Sequence, residues 1–192
     1  MPDSPSDEVA LVIRAASFAA YKHRNHRRKN AEATPYINHP LAVAQVLSVE
    51  GAVHDAVILA AALLHDTVED TETTYEELTE AFGTRVSEIV REVSDDKQLP
   101  KDVRKLQQIE HAARASPAAQ QVKIADKICN LREILATPPA NWSEARKQEY
   151  FDWAKAVVDQ VRGANQTLAR KFDEVFDARK RVCRARFADI EK

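Results

Sequence analysis

The sequence has few of the residues and runs that would place it outside the ordinary globular proteins. It contains two cysteines, Cys129 and Cys183, which are too few for a disulfide framework. Thiols that stay reduced are typical of proteins of the cytosol. The longest apolar run, residues 56–64, has nine residues, whereas a helix that spans a membrane needs roughly 20. We therefore expect a cytoplasmic protein that has no membrane partner.

A dominant charge is absent, and glycine is scarce. Lysine and arginine number 28, against 30 aspartates and glutamates, so no overall field would gather polyanions from solution. The three glycines, Gly51, Gly83 and Gly163, each follow a segment of helical character, where a left-handed C-terminal cap would favour glycine. No stretch alternates well enough between apolar and polar residues to predict a strand. The sequence thus predicts an all-α protein.

Helical periodicity and start signals predict a single domain, a bundle of helices. A chain of 192 residues lies in the range of one domain, and no repeat marks a second. Residues 1–8 are expected to be a flexible leader, residues 9–172 the domain, and residues 173–192 a helical extension of it. Helices are predicted at 7–27, 39–50, 54–69, 74–82, 84–94, 101–114, 117–136, 142–162 and 165–187.

His65 and Asp66 close the most apolar of these helices, where packing alone would favour leucine or alanine. A hydrogen-bonded core histidine beside a solvent-facing aspartate would explain such a pair by itself. Glu69 and Asp70 follow at i+4, so that all four side chains are expected on one helix face. Three carboxylates beside a buried segment repel one another and lose hydration unless a cation is near. The pattern therefore favours a metal site.

Other predicted helices offer further ligands. Asp126 and Asn130, at i and i+4, lie at the border of a second largely buried helix, and His39 opens a third. Two imidazoles and two carboxylates suit a six-coordinate ion such as Mn²⁺ better than a closed zinc site, and iron or magnesium stays open. The remaining histidines that we assign stand among polar residues and are expected to be solvated: His23, His26, His54 and His111.

Three sequence strings resemble the successive signatures of the hydrolase domain of RelA/SpoT enzymes, in matching order and separation. They are TPYINHP (34–40), AALLHDTVEDT (61–71) and KIADKICNLR (123–132). RRKN (27–30), SDDK (94–97) and WSEARKQEYFDWA (142–154) extend the likeness. The whole is similar to the small alarmone hydrolases, such as the metazoan SpoT homologue. The resemblance implies the helical fold of the HD-domain phosphohydrolases.

The resemblance also implies an activity and a metal centre. The reaction would be hydrolysis of the 3′-pyrophosphate of ppGpp to GDP and pyrophosphate. Glu69 and Asp70 would orient and activate the attacking water. One Mn²⁺ would be held by four ligands: His39, His65, Asp66 and Asp126.

Five further positions are implied to bind the substrate: Arg28, Lys29, Asn130, Arg146 and Tyr150. A solvated helix end is the plain alternative for the basic pair, and a surface ion pair for Arg146. The chain departs from the long RelA/SpoT enzymes in residues 30–34, which replace a shorter Ser-Gly-Glu, and at Cys129, which replaces a usual histidine. These departures leave the contacts to base and ribose, and with them the substrate, open.

Two other functions stay open at this point. One is dephosphorylation of a different nucleotide, such as the 2′-phosphate of NADPH. The other is a non-catalytic helical protein that binds nucleic acid through the basic runs 22–29 and 179–186. Because that function leaves the histidines and carboxylates without a purpose, we expect a small nucleotide substrate and no nucleic-acid partner. The sequence gives no signal for the oligomeric state.

Overall fold

Helices make up nearly all the regular structure of the part of the chain that the computed structural model describes, which is residues 5–188, with side chains for residues 6–179. No strand occurs within that part, where an isolated bridge joins Arg27 and Pro35. The helices are α1 (Pro5–Lys22), α2 (Asn38–Gln45), α3 (Ala56–Leu64), α4 (Thr67–Asp70), α5 (Tyr75–Phe82), α6 (Thr84–Val93), α7 (Lys101–Ala112), α8 (Pro117–Ala136), α9 (Glu144–Asp159) and α10 (Gln166–Ala188). The prediction of an all-α fold is confirmed.

The centre of the fold is formed by α3 and α8. All nine residues of α3 are apolar and nearly all are buried, with α1, α2, α6 and α8 packed around it. Its alanines Ala60, Ala61 and Ala62 have no exposed surface, and such small side chains allow neighbouring helices to approach closely. The longer α8 also contacts α2, α6, α9 and α10. Residues at the ends and borders of these two helices are therefore held by the core.

Side-chain caps fix several helix starts. The side chain of Thr74 accepts a hydrogen bond from the backbone N–H of Glu77, as its capping-box pattern predicts. Ser116 caps α8 through the N–H of Ala119, with Pro117 in the first turn. Proline has no backbone N–H, and in the first turn of a helix that N–H would have no partner within the helix. The observed start of α8 therefore agrees with the predicted one.

The predicted helix 54–69 is wrong in one respect, because it is interrupted after Leu64. His65 and Asp66 form a turn between α3 and α4, and Asp66 has φ −97° and ψ −3°. The hydroxyl of Thr67 donates to the carbonyl of Leu64 over 2.6 Å, which satisfies a carbonyl at the end of α3. The four polar side chains of this region thus do not share one continuous helix face.

The ends of the chain differ from expectation in detail. α1 begins at Pro5, so that residues 5–8 are helical instead of part of a leader, while residues 1–4 lie outside the described residues. Asp7 and Glu8 lie in its first turn, where negative charge is favoured by the helix dipole. α10 has no break at residue 172. Most side chains of the basic run 179–186 lie outside the described residues.

The glycines serve two different purposes. Gly83, between α5 and α6, has φ 87°, a left-handed conformation that glycine adopts without strain. Gly51 has φ −88°, so the expected left-handed cap is wrong there, and positive φ is also not found at Gly163. A Cβ at Gly51 would lie 2.8 Å from Cδ2 of Leu168. Glycine at 51 therefore permits α10 to pack closely.

None of the helices in the described residues combines the length and the apolar character that crossing a membrane requires.

Candidate active site

Side chains from three separate segments converge beside the core. His39 lies in the first turn of α2, His65 directly after α3, and Asp126 in the middle of α8. Their ligand atoms all lie within 4.8 Å of one another. Asp66 adjoins them, with Oδ2 at 3.0 Å from Nε2 of His65 and 3.7 Å from Nε2 of His39. The structure thus brings together the four residues that the sequence predicts as metal ligands.

His65 has the geometry of a histidine that offers one ring nitrogen to a cation. Its Nδ1 lies 2.7 Å from the carbonyl oxygen of Ala62, and since a carbonyl can only accept, Nδ1 carries the hydrogen. In the neutral ring, Nε2 then presents its lone pair to the interior of the cluster, where it is buried. Metal-binding histidines are commonly oriented in this way through the other nitrogen. The residues present therefore fit a metal ion.

The charges of the cluster also favour a cation. Burial opposes a charge on His65, yet Asp66 and Asp126 outweigh it and raise the pKa of this imidazole to about 9, so that without a metal Nε2 holds a proton where a cation would bind. Burial would likewise raise the pKa of Asp66, but His65 beside it holds that pKa well below its usual range. The pKa of Asp126 is lowered against burial chiefly by the ammonium of Lys127. Both carboxylates are consequently ionised, and both lie beside the ring nitrogens of His39 and His65.

Neighbouring side chains hold these carboxylates in place. Tyr36 donates its hydroxyl hydrogen to Oδ2 of Asp66 over 2.7 Å. Lys127 donates to Oδ2 of Asp126 over 2.9 Å, and Asn130 to its Oδ1 over 2.5 Å. Tyr36 and Lys127 were missed by sequence reasoning, although both lie inside the motifs quoted above. Their positions three residues before His39 and directly after Asp126 could have indicated them.

The structure separates the two acids that sequence reasoning treats as a pair. Glu69 lines the same cavity as the metal set, and its Oε1 accepts a hydrogen bond from the N–H of Asp95 over 2.7 Å. Burial and the nearby charge of Asp66 raise the pKa of Glu69 to about 7. Asp70 instead lines an adjoining cavity and forms an ion pair with Lys97. Glu69 is therefore the acid that faces the metal set.

Two cavities meet at this point. The smaller, of about 190 Å³, contains the metal set, and the larger, of about 620 Å³, is wide enough for much of a nucleoside. Lys29, Glu133 and the ring of Trp142 line the larger cavity. Four residues line both and so connect them: Arg28, Tyr36, Asn130 and Tyr150.

Arg28 is held between two partners at this junction. Its guanidinium forms an ion pair with Glu133 and donates from Nη2 to Oδ1 of Asn130 over 3.0 Å. Since Asn130 in turn donates to Asp126, hydrogen bonds run without interruption from the larger cavity to the metal set. Arg28 is positioned to meet an anionic ligand, but Glu133 already occupies part of its hydrogen-bonding capacity.

The other residues predicted to bind substrate differ in placement. Lys29 is exposed at the wall of the larger cavity, and Tyr150 is half-buried between the two cavities. Arg146 is exposed, is not among the lining residues of either cavity, and places its guanidinium 4.5 Å from the ring centre of Trp142. The structure thus brings four of the five predicted residues to the cavities and leaves Arg146 behind Trp142.

His23 contradicts its predicted exposure. Its side chain is 1% exposed, and its ring stacks on Tyr36 with the centroids 4.7 Å apart. The polar neighbours of His23 in the sequence hid this, because they point to solvent while His23 points inward. His26 is half-buried at the wall of the larger cavity, whereas His54 and His111 are exposed as expected.

A family model described as the HD domain matches residues 15–154, well over half of the chain. The chain belongs to the HD-domain family. The helical HD-domain fold that the sequence motifs imply is thereby confirmed.

Relatives of this HD domain include guanosine-3′,5′-bis(diphosphate) 3′-pyrophosphohydrolases called MESH1. The Xenopus tropicalis protein is 55% identical over 171 residues, which cover 89% of this chain and 96% of the relative. The human protein is 51% identical over 172 residues, covering 90% and 96%. A solved structure of a metazoan orthologue of SpoT that hydrolyses ppGpp is 47% identical, with a TM-score of 0.86 over 88% of this chain and 96% of that one.

Proposed function

We propose that this HD domain hydrolyses the 3′-pyrophosphate of ppGpp and releases GDP and pyrophosphate. The observation that carries the proposal is the set of two buried histidines and two partly buried aspartates, which adjoins a cavity of nucleoside size. Relatives that share about half of its residues over nearly their whole length carry this activity in their names. The geometry of the site therefore supports metal-dependent hydrolysis, and the activity of the relatives indicates ppGpp as the substrate.

We infer further that the resident metal is Mn²⁺, held by His39, His65, Asp66 and Asp126. Imidazole nitrogens mixed with carboxylate oxygens, with positions left for water and substrate, suit a six-coordinate ion such as Mn²⁺ better than a closed zinc site. When bound, the ion supplies a water of lowered pKa and a positive charge beside the scissile phosphate. Metal analysis of the protein purified without chelators or added metals tests this identity.

Glu69 is the proposed general base. Its raised pKa places it near neutrality, where a carboxylate can both accept and return a proton. The N–H of Asp95 fixes one carboxylate oxygen, which leaves the other to accept a proton from the attacking water. Asp70, at the wall of the larger cavity with Lys97, is proposed to orient the water and the substrate beside it.

The larger cavity is the proposed nucleoside site. Arg28 and Lys29 provide positive charge for the phosphates, and Tyr150 provides an aromatic face for the base. Asn130 can bond to the ribose or to a water, since it lines both cavities. Arg146 is proposed to act at the rim, where it stacks on the ring of Trp142.

Product identity tests the proposal directly. The metal-loaded protein is incubated with ppGpp and, separately, with NADPH, and the products are separated by ion-exchange chromatography. We expect GDP and pyrophosphate from ppGpp. Orthophosphate from NADPH together with intact ppGpp would instead assign the 2′-phosphate of NADPH as the substrate.

The same proposal gives this protein a small-molecule partner in the cytoplasm. Nucleic acid is disfavoured because the basic run 22–29 is partly neutralised, Lys22 by Glu77 and Arg28 by Glu133. Retention on RNA or DNA that falls steeply with salt would contradict it.

A further inference from the structure

Lys123, on α8, is a buried cation that forms no ion pair with a carboxylate in the part of the chain that the structure describes. The residue is 8% exposed, and its Nζ hydrogen-bonds to the carbonyl of Val93 at a distance of 3.5 Å. Among the described residues, no carboxylate oxygen lies within 4.0 Å of Nζ. Burial of the charge and the ammonium of Lys127 lower the pKa of Lys123 to about 8, although the carboxylates of the cavity partly oppose this shift. A buried charge without a partner is costly, so a ligand that supplies an anion would stabilise it.

Lys123 lines the smaller cavity in line with the metal set. Lys123, Asp126 and Asn130 are spaced i, i+3 and i+7, which puts them on one face of α8, about 5.4 Å apart per helical turn. Asn130 lines both cavities, whereas Asp126 and Lys123 line the smaller one. Along α8, Asn130 therefore lies at the larger cavity, Asp126 lies in the metal set, and Lys123 lies beyond Asp126 in the smaller cavity.

The neighbouring lysine is engaged in a different way. Lys127 donates to Asp126 over 2.9 Å, and its Nζ lies 4.4 Å from the ring centre of Trp153. Its charge is thus compensated within the protein. Of the two lysines of this cavity, Lys127 forms an ion pair with Asp126, whereas Lys123 forms none with a carboxylate of the described residues.

The charge of the cavity permits an anion beside Lys123 when a metal is bound. The cationic residues of its wall are Arg28, Lys123 and Lys127, and the carboxylates are Asp66, Glu69, Asp95 and Asp126. With the histidines neutral as metal ligands, three cations and four carboxylates leave one net negative charge, and a divalent ion changes the total to one net positive charge. A phosphate group therefore meets a favourable field there once the metal is present.

We propose that Lys123 binds the distal phosphate of the substrate's 3′-diphosphate, the end that departs as pyrophosphate. This inference rests on the proposed function. With the nucleoside in the larger cavity and the ribose-linked phosphate at the metal set, the distal phosphate extends along α8 toward Lys123. A nucleotide with a single 3′-phosphate has no group at that position. Lys123 thereby selects a diphosphate over a monophosphate.

The reaction retains this contact from substrate to product. The oxygen of the attacking water bonds to the phosphorus attached to O3′, and the bond between that phosphorus and O3′ breaks. The proton that the water loses is returned to O3′, which becomes the hydroxyl of GDP. Both phosphorus atoms leave as pyrophosphate, whose outer phosphate is still held by Lys123.

A comparison of two substrates tests the proposal. Lys123→Met keeps the length of the side chain and removes a buried charge, so the variant is expected to fold. We measure kcat/KM of the metal-loaded protein for ppGpp and for guanosine 5′-diphosphate 3′-monophosphate. The expected loss is about 10- to 100-fold for ppGpp, the worth of a charge-assisted hydrogen bond, and less than about twofold for the monophosphate. Lys123→Arg should recover part of the loss, and Lys101→Met, an exposed lysine on α7, should lose nothing.

An equal loss on both substrates, or none on ppGpp, would overturn the proposal. A second measurement is independent of turnover: binding of radiolabelled pyrophosphate by equilibrium dialysis at fixed free Mn²⁺. We expect Lys123→Met to bind pyrophosphate at least about tenfold more weakly than the parent protein. If the parent protein does not hydrolyse ppGpp, the proposed function fails, and unchanged pyrophosphate affinity in the variant still overturns the role of Lys123 separately.

Discussion

Tyr36 donates its hydroxyl hydrogen to Oδ2 of Asp66, and that same oxygen lies 3.0 Å from Nε2 of His65. The phenol thus directs a carboxylate into the cluster while its ring stacks on the buried His23. Groups that are not ligands themselves commonly determine the affinity of a metal site by orienting those that are.

Tyr36→Phe is expected to weaken metal binding without unfolding the protein. The substitution removes the hydrogen bond to Asp66 and keeps the ring that packs on His23. We expect the affinity for Mn²⁺ to fall about 10- to 100-fold and turnover to recover in excess metal. Titration of the metal-free protein measures this, with Tyr21→Phe, an exposed tyrosine, as the control. Equal affinities for Mn²⁺ in the Tyr36 variant and the parent would refute the orienting role.

Removal of a proposed ligand should remove both metal and activity. Alanine at His39, His65, Asp66 or Asp126 deletes one donor atom and leaves the others beside an open cavity. Elemental analysis after gel filtration should show metal well below one ion per chain, and turnover should be lost. His54→Ala, at an exposed histidine, should change neither quantity. An active Asp126→Ala protein that keeps its metal would rule out the assignment.

Chelation should lower thermal stability as well as turnover. A metal at 100 times its dissociation constant stabilises the folded state by about 2.7 kcal/mol. For a domain of this size each kcal/mol shifts Tm by about 2–4 °C, so we expect a fall of roughly 5–10 °C in EDTA. Calorimetry measures the shift, and Mn²⁺ should restore it. The Asp126→Ala variant serves as the control, since chelator should leave its Tm unchanged.

Glu69→Gln should reduce kcat while metal binding is preserved. The amide keeps the size of the side chain but cannot accept the proton of water, so we expect a loss of about 10²- to 10⁴-fold. Because the base acts when ionised, turnover of the parent should rise with pH, with a midpoint at or below about 7, the pKa of Glu69 before a cation lowers it. That acid limb should vanish in the variant. Glu72→Gln, at an exposed position, is the control, and near-normal kcat in Glu69→Gln would exclude it as the base.

Arg28→Ala should raise KM more than it lowers kcat. Contacts to phosphate that persist from ground state to transition state mainly affect binding. Glu133 complicates the measurement, because the loss of Arg28 leaves its carboxylate unpaired. The double variant Arg28→Ala with Glu133→Gln removes that charge and should recover part of the affinity. If kcat fell about a thousandfold with KM unchanged, Arg28 would have to act on the reaction itself.

Much of the site could be predicted because its residues stand out from their immediate neighbours in the sequence. His65 and Asp66 interrupt an apolar segment, and Asp126 stands at the border of a buried helix, so burial and chemistry are both visible in the sequence. Periodicity also predicted amphipathic helices such as α6, whose buried Val86, Ile89 and Val90 share one face. The interruption at His65 could not be predicted in this way, because it depends on the hydroxyl of Thr67 competing for a backbone carbonyl.

The residues that were missed depend on contacts distant in sequence. Tyr36 reaches Asp66 across 30 positions, and His23 becomes buried because the loop that follows α1 folds back and places Tyr36 on its ring. Lys123 reads as an ordinary surface lysine in sequence, since its burial comes from neighbours on other helices, such as Val93 at the end of α6. Such pairings follow from the assembled fold, which periodicity along one helix does not specify.

Hydrogen bonds lead from Glu133 through Arg28 and Asn130 to Asp126. They connect the proposed nucleotide site to the proposed metal site, so that binding at one can be coupled to binding at the other. A phosphate that takes Arg28 away from Glu133 acts on a side chain bonded to Asn130, and Asn130 is bonded to a proposed ligand. Linkage is reciprocal, so any factor by which the metal tightens nucleotide binding is the factor by which nucleotide tightens metal binding. If the metal tightens nucleotide binding, a low concentration of free metal then weakens the apparent affinity for substrate, and a high concentration of substrate raises the affinity for the metal.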